Sequence, residues 1–226
     1  MTQYSLWKIL GIWLAAAAPM GVLAWLVAPA LAGSAPSPGR FTVCLAASIT
    51  VGLVWQFVLV LLLTRKQPRR DALWLRKPGW LLPIVATLAV GVLEAVPLDP
   101  PATGERGLGE FLGTGAGREL MHGNWALYAL LLVMFAFNTV LGEELLFRGL
   151  LLPRMNGVFR RYDGVANAAL FALYHWHQPW SMPSAFVTGL VQAYGSKRAR
   201  SAWVGIIAHS AQSVVFAVIG LLLVVS

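Results

Sequence analysis

Residues 9–32, 41–63 and 202–225 are apolar runs that each reach the roughly 20 residues a helix needs to cross the hydrocarbon core of a bilayer. A chain committed to three such runs has lipid as its solvent, and every other segment must fit that frame. Further apolar segments at 80–96, 125–152, 165–175 and 185–194 bring the number of candidate spans to seven. The last two are short and carry Asn167, Tyr174, His175 and Gln192, which suits helices buried among the others rather than helices facing lipid. With 58% hydrophobic residues, 12% charged residues and a mean hydropathy of +0.69, composition excludes an ordinary soluble domain. The expected fold class is all-α: a polytopic transmembrane helix bundle with about seven spans, forming one integral membrane domain over residues 1–226.

The first run begins after Lys8 and ends on Ala30-Leu31-Ala32, which imitates a signal peptide with its cleavage site; its apolar stretch is too long for one, so it is expected to stay as a first helix. Cys44 is the single cysteine, lies inside the second run and offers no disulfide framework. The net charge of +8 does not point to nucleic acid, because the basic residues sit in short loops between spans. With the N-terminus in the cytoplasm, thirteen of the 17 lysines and arginines fall inside, only Arg40, Arg106 and Arg118 fall outside, and Arg148 lies in the membrane. The one long loop, 97–124, is then external and carries Asp99, Glu105, Glu110 and Glu119. Its Gly113-x-Gly115-x-Gly117 is no nucleotide fingerprint without a surrounding βαβ unit, and it is expected to be a flexible loop with a short amphipathic helix on the membrane surface. Glu94, near the outer end of the third span, is expected to be hydrated.

Against this background Gly142-Glu143-Glu144-Leu145-Leu146-Phe147-Arg148-Gly149 stands out, because it places three charges inside an apolar stretch. Even on lenient insertion scales one such charge at mid-bilayer costs about 2.5–3.5 kcal/mol, so the cluster is a functional-site hypothesis by default. Residues four apart share a helix face. Glu144 can therefore pair with Arg148, with the glutamate N-terminal as the favourable order requires, and Glu143 is left as the reactive carboxylate.

Three histidines can meet it. Glu143, His175 and His209 lie 11, 12 and 9 residues from the nearest cytoplasmic charge, which at 1.5 Å per residue is roughly 16, 18 and 14 Å deep on three different helices. Groups at one level can converge. A carboxylate can take a proton from water, an imidazole can orient that water, and a second imidazole can donate to the oxyanion that develops on a carbonyl. His177, two residues from His175 and beside Gln178-Pro179 where a helix should stop, reads as structural.

The pattern Glu143-Glu144-x-x-x-Arg148, then Phe171-x-x-x-His175, then a late His209 resembles, in order and spacing, the three motifs of the CAAX-processing and bacteriocin-processing (CPBP, or Abi) family of intramembrane proteases. The resemblance covers roughly residues 125–215. It implies an all-α bundle with a conical cavity open to the membrane and the cytoplasm. It also implies that Glu143 activates water with help from His175, that Glu144 and Arg148 hold the site together, and that His209 stabilises the oxyanion. The substrate it implies is a membrane-anchored or prenylated peptide or protein, met in lipid and with no nucleic acid involved. The location it fits is a bacterial inner membrane.

The chain departs from the family at one position: the third motif resembles His-x-x-x-Asn, and Ser213 stands where the asparagine would. Gln212, at i+3 from His209, lies on nearly the same face and can supply the missing amide. Glu143, His175 and His209 are also the donor types of a zinc site with an open position. No His-Glu-x-x-His helix accompanies them, so the reading leans to no cofactor, with a divalent metal such as zinc as the alternative. Two rival functions are a proton-coupled transporter, for which no inverted repeat is visible, and a non-catalytic immunity or partner protein, for which Ser213 is the only hint.

Overall fold

The computed structural model describes residues 1–102 and 106–226; Glu105, one of the acidic residues assigned to the long loop, lies outside them. Among the described residues 81% are helical and none forms a strand. That is the expected outcome in lipid, where each backbone N–H and C=O must find its partner within its own segment. Four helices are long and apolar enough to span: α1 (Leu6–Ala32), α2 (Pro38–Leu63), α6 (Trp125–Arg154) and α9 (Trp203–Val225). Between them lie the apolar α3 (Leu81–Glu94), the short α4 (Leu108–Gly113) and α5 (Gly115–Met121), and the inner helices α7 (Asp163–Tyr174) and α8 (Met182–Ala199).

Local chemistry fixes the helix starts. Ser5, Ser37 and Asn124 accept from the backbone N–H of Lys8, Arg40 and Leu127, each three residues on, at 3.0–3.3 Å. Pro38 occupies the first turn of α2, where its missing N–H costs nothing. Tryptophans then tie helices together: the indole N–H groups of Trp13 and Trp55 donate to the carbonyls of Leu170 and Ala15, at 2.7 and 2.8 Å, and Trp176 donates to Ala17 at 2.8 Å. Gly21 lets the ring of Trp176 lie directly on α1, since a β-carbon there would overlap the indole. Leu14, Leu26, Val51, Ile84, Leu88, Val214, Val218 and Leu222 point outward and are exposed. With Leu132 and Val133 exposed on α6 as well, apolar side chains face out on every spanning helix, a protein surface made for acyl chains.

The loops gather at two ends. Tyr4 donates its backbone N–H to Arg154 at 3.0 Å, Arg154 Nη1 donates to Ala72 at 2.8 Å, and Ala202 N–H donates to Trp74 at 2.9 Å. The N-terminus, the 64–77 loop, the 153–163 turn and the 196–202 turn therefore meet, and they carry the basic residues assigned above to one side. At the opposite end Gly123 N–H donates to Val224 at 2.9 Å, Arg106 Nη1 donates to Ala24 at 3.1 Å, and Asp99 caps α8 by accepting from Ser184 N–H at 2.9 Å and its hydroxyl at 2.6 Å.

Two expectations change here. The 97–124 segment is not a loose loop with one surface helix: it holds two helices, α4 and α5, with Phe111, Gly117 and Met121 buried, and the Arg106 guanidinium lies 3.9 Å from the centre of the Trp25 ring. Burial of single apolar residues and one cation–π contact leave no periodic signal for a sequence to show. The second change is inside α6, which is not uniformly α-helical. It runs as π-helix over Phe137–Gly142 and Leu145–Leu151, on both sides of the two glutamates. Such widened turns are rare and cluster at functional sites.

Candidate active site

The π turns of α6 present Glu143 and Glu144 to different neighbours. Glu144 and Arg148 are both completely buried, and Arg148 Nη1 lies 3.0 Å from Glu144 Oε1. Arg148 Nη2 donates to Gln192 Oε1 on α8 at 2.6 Å and reaches the Gly189 carbonyl at 3.4 Å. Its guanidinium carbon sits 4.1 Å over the ring of Phe171 on α7. One cation thus links three helices. Gly205 on α9 makes room for the carboxylate, since a β-carbon there would overlap Glu144 Oε2.

Phe171 is the hub between α6 and the histidines. Its ring meets Phe147 edge to face at 5.1 Å, His175 at 4.8 Å and His209 at 6.1 Å. His175 Nδ1 lies 2.8 Å from the Phe171 carbonyl oxygen. A carbonyl only accepts, so Nδ1 carries the proton and Nε2 is left with a free lone pair. His209 Nδ1 lies 3.2 Å from Glu144 Oε1, which makes Glu144, not Glu143, the carboxylate that orients this ring. Gln212 and Ser213, one turn further along α9, line the same cavity as His175 and His209.

Glu143 is buried on the other side of this core. With the Asn138 amide nitrogen turned toward it, the orientation that matches donor to acceptor, Asn138 donates to Oε1 at 2.8 Å and to Oε2 at 3.1 Å. The hydroxyl of Tyr174 faces the same carboxylate and the amide of Gln56 on α2. Glu143 lines a small cavity of about 90 Å³ together with His177, whereas His175 and His209 line a larger one of about 590 Å³. Asn138 and Gln178 border both. Of the residues named from sequence, Glu144, Arg148, Phe171 and His209 meet on α6, α7 and α9, and His175 packs on Phe171 just after α7, but the Glu143 carboxylate and the two imidazoles stand on adjoining cavities.

His177 is the residue most undervalued by sequence. The helix does stop at Tyr174 as Pro179 suggests, but residues 175–177 continue as a 3₁₀ turn, and the rings of His175 and His177 stack at 5.6 Å with 25° between planes. Separation by two residues puts side chains on different faces only while the chain stays α-helical. Asn138, five residues before Glu143, was hidden by the apolar residues around it. Gln192 and Tyr174 were visible as polar groups in short apolar runs, without partners.

A metal does not fit the trio as it stands. Among the described residues no group of three or more His, Cys, Asp or Glu side chains lies close enough to hold an ion. His209 Nδ1 is turned to Glu144 and His175 Nδ1 to a carbonyl, which leaves Nε2 of each ring as the nitrogen without a partner in the protein and does not of itself exclude a ligand role.

Residues 124–215 match the family model described as type II CAAX prenyl endopeptidase Rce1-like. The matched segment holds every residue of the cluster from Glu143 to Ser213, and the match is consistent with the CPBP family. No curated protein and no solved structure matches the chain.

Proposed function

Taking residues 124–215 as a CAAX-type protease segment of an integral membrane protein, we propose that the chain is an intramembrane endopeptidase. It hydrolyses a peptide bond of a membrane-anchored or lipidated polypeptide with Glu143 as the general base. One observation carries this reading: of two adjacent buried glutamates, Glu144 is neutralised by Arg148, while Glu143 is fixed by neutral donors and faces a cavity. A carboxylate so held keeps its basicity for a water proton. The proton that Glu143 takes from water is handed to the nitrogen of the scissile bond as it leaves, and His175 Nε2, with its lone pair free, accepts a hydrogen bond from that leaving amine.

His209 acts on the other side of the bond. Because Nδ1 already donates to Glu144, donation from Nε2 to an oxyanion requires the doubly protonated ring. Glu144, held by Arg148, is the group that fixes the ring in the orientation from which Nε2 points away from the ion pair. The direct test is incubation of purified protein with a prenylated C-terminal peptide and a set of transmembrane peptides, read by mass spectrometry. A discrete internal cut that depends on Glu143 supports the reading; intact peptides throughout would remove it.

The second oxyanion donor distinguishes Gln212 from Ser213. Loss of the true donor should lower kcat by about 10²- to 10³-fold with a smaller change in KM. Ser213→Asn should keep or raise the rate, and Gln212→Ala should be the damaging change if the amide has moved by one position. If Gln212→Ala and Ser213→Ala both stay within a few-fold of the parent, this turn of α9 supplies no donor beyond His209.

The two stacked imidazoles are separable in the same assay. Since His177 and not His175 shares the small cavity with Glu143, His177→Gln should reduce kcat by at least about tenfold, in the range of a proton-handling group. A silent His177→Gln beside an inactive His175→Gln returns His177 to a purely structural role.

A further inference from the structure

Three polar groups on the small cavity are short of partners. Thr42, on α2, is 1% exposed, and its hydroxyl finds no hydrogen-bond partner among the described residues. His177 Nδ1 lies 3.2 Å from the Tyr174 carbonyl oxygen. A carbonyl only accepts, so Nδ1 holds the proton and Nε2 keeps its lone pair. The Glu143 carboxylate receives the Asn138 amide at 2.8 and 3.1 Å, which leaves lone pairs on both oxygens unused. All three side chains line the same cavity.

Size and chemistry agree on the occupant. The cavity measures about 90 Å³, where one water needs about 10–15 Å³ and two to four polar partners. A hydroxyl, an imidazole nitrogen and a carboxylate supply those partners, whereas an apolar occupant would leave all three unpaired. Leu45, Ala46 and Leu53 form an apolar wall opposite them.

The position of this cavity gives such water a use. Asn138 and Gln178 line both cavities, and the stacked imidazoles are divided between them, His177 on the small one and His175 on the large one. A peptide in the large cavity and water in the small one therefore meet at a shared border. We propose that the small cavity is a water site separate from the substrate cavity, and that Thr42 is a positioning residue whose hydroxyl, with His177 Nε2, holds water against Glu143. In turnover Glu143 takes one proton of that water, the water oxygen bonds to the carbonyl carbon, and the proton passes to the nitrogen as the C–N bond breaks. Thr42 lies outside residues 124–215, so α2 becomes part of the active site. The hydrolytic use rests on the protease reading; the water site stands on the cavity and its polar wall alone.

Radiolytic footprinting in ¹⁸O-labelled water tests the site without any assay of activity, because radicals formed from a bound water modify the side chains beside it. Leu53 lines the small cavity and is 1% exposed, while Leu146 and Leu150 are 0% exposed and line neither cavity. Leu53 should take up label well above Leu146 and Leu150 in the purified protein, and less in Thr42→Val. Equal labelling of the three leucines overturns the water site. So does a Thr42→Val protein that unfolds at a higher temperature than the parent, the result for a hydroxyl that had no partner at all.

A second arm uses the prenylated C-terminal and transmembrane peptides of the cleavage assay. Thr42→Val should lower kcat about tenfold with KM nearly unchanged, since it touches the water and not the peptide. Thr42→Ser, which keeps the hydroxyl, should restore most of that rate. A kcat for Thr42→Val within twofold of the parent removes Thr42 from the reaction. If Leu53 is labelled as expected and no peptide is cut by the folded protein, the protease reading fails and the water site stands.

Discussion

Glu143→Gln should fold like the parent and lose at least about 10³-fold in kcat, the upper part of the range a positioned general base supplies. The substitution keeps the volume of the side chain. It also keeps a hydrogen-bond partner for Asn138, because both amides can turn to match donor with acceptor. Nothing else in the site depends on the negative charge at Glu143, since Arg148 pairs with Glu144. Turnover of a lipopeptide and thermal unfolding in detergent, measured on the same preparation, separate chemistry from folding. A Glu143→Gln protein that retains most of its kcat would remove the general base from this position.

Breaking the buried ion pair should show the opposite balance. Glu144→Gln leaves Arg148 as a charge in the membrane interior without its carboxylate, and removal of one partner of a buried pair costs about 3–5 kcal/mol. The effect spreads, because the same Glu144 oxygen orients His209 and the same guanidinium bridges Gln192 and covers Phe171. Both unfolding temperature and activity should fall. Arg148→Met alone should be as damaging, whereas the double change Glu144→Gln with Arg148→Met, which removes both charges, should recover part of the stability. Unfolding in detergent across this cycle gives the coupling directly. Additive losses would mean that the two side chains act independently and that the contact contributes little.

The comparison of the two glutamates shows how far the amino-acid order reaches. Spacing alone distinguished Glu143 from Glu144, because an arginine at i+4 is a local relation that survives the change from α to π geometry along α6. Depth along separate segments suggested that His175 and His209 could meet, and both rings pack on Phe171. What spacing could not supply was the azimuth of each ring. His209 turns to Glu144, and His177 rather than His175 shares a cavity with Glu143, because a π turn in α6 and a 3₁₀ turn after Tyr174 rotate side chains away from the regular helical count.

The seven apolar segments, their helical character and the division of basic residues between the two ends were determined by the sequence itself, through the thickness of the bilayer and the cost of placing charge within it. The pairing of Glu144 rather than Glu143 with Arg148 belongs to the same class of local facts. Only the tertiary structure decided that Asn138, Tyr174 and Gln56 surround Glu143, that Phe171 joins Arg148 to the imidazoles of His175 and His209, and that those imidazoles and Glu143 line separate, adjoining cavities. Those relations run between helices that are distant in the chain. Their contacts follow from how helices pack, which small residues such as Gly205 and Gly189 permit without specifying.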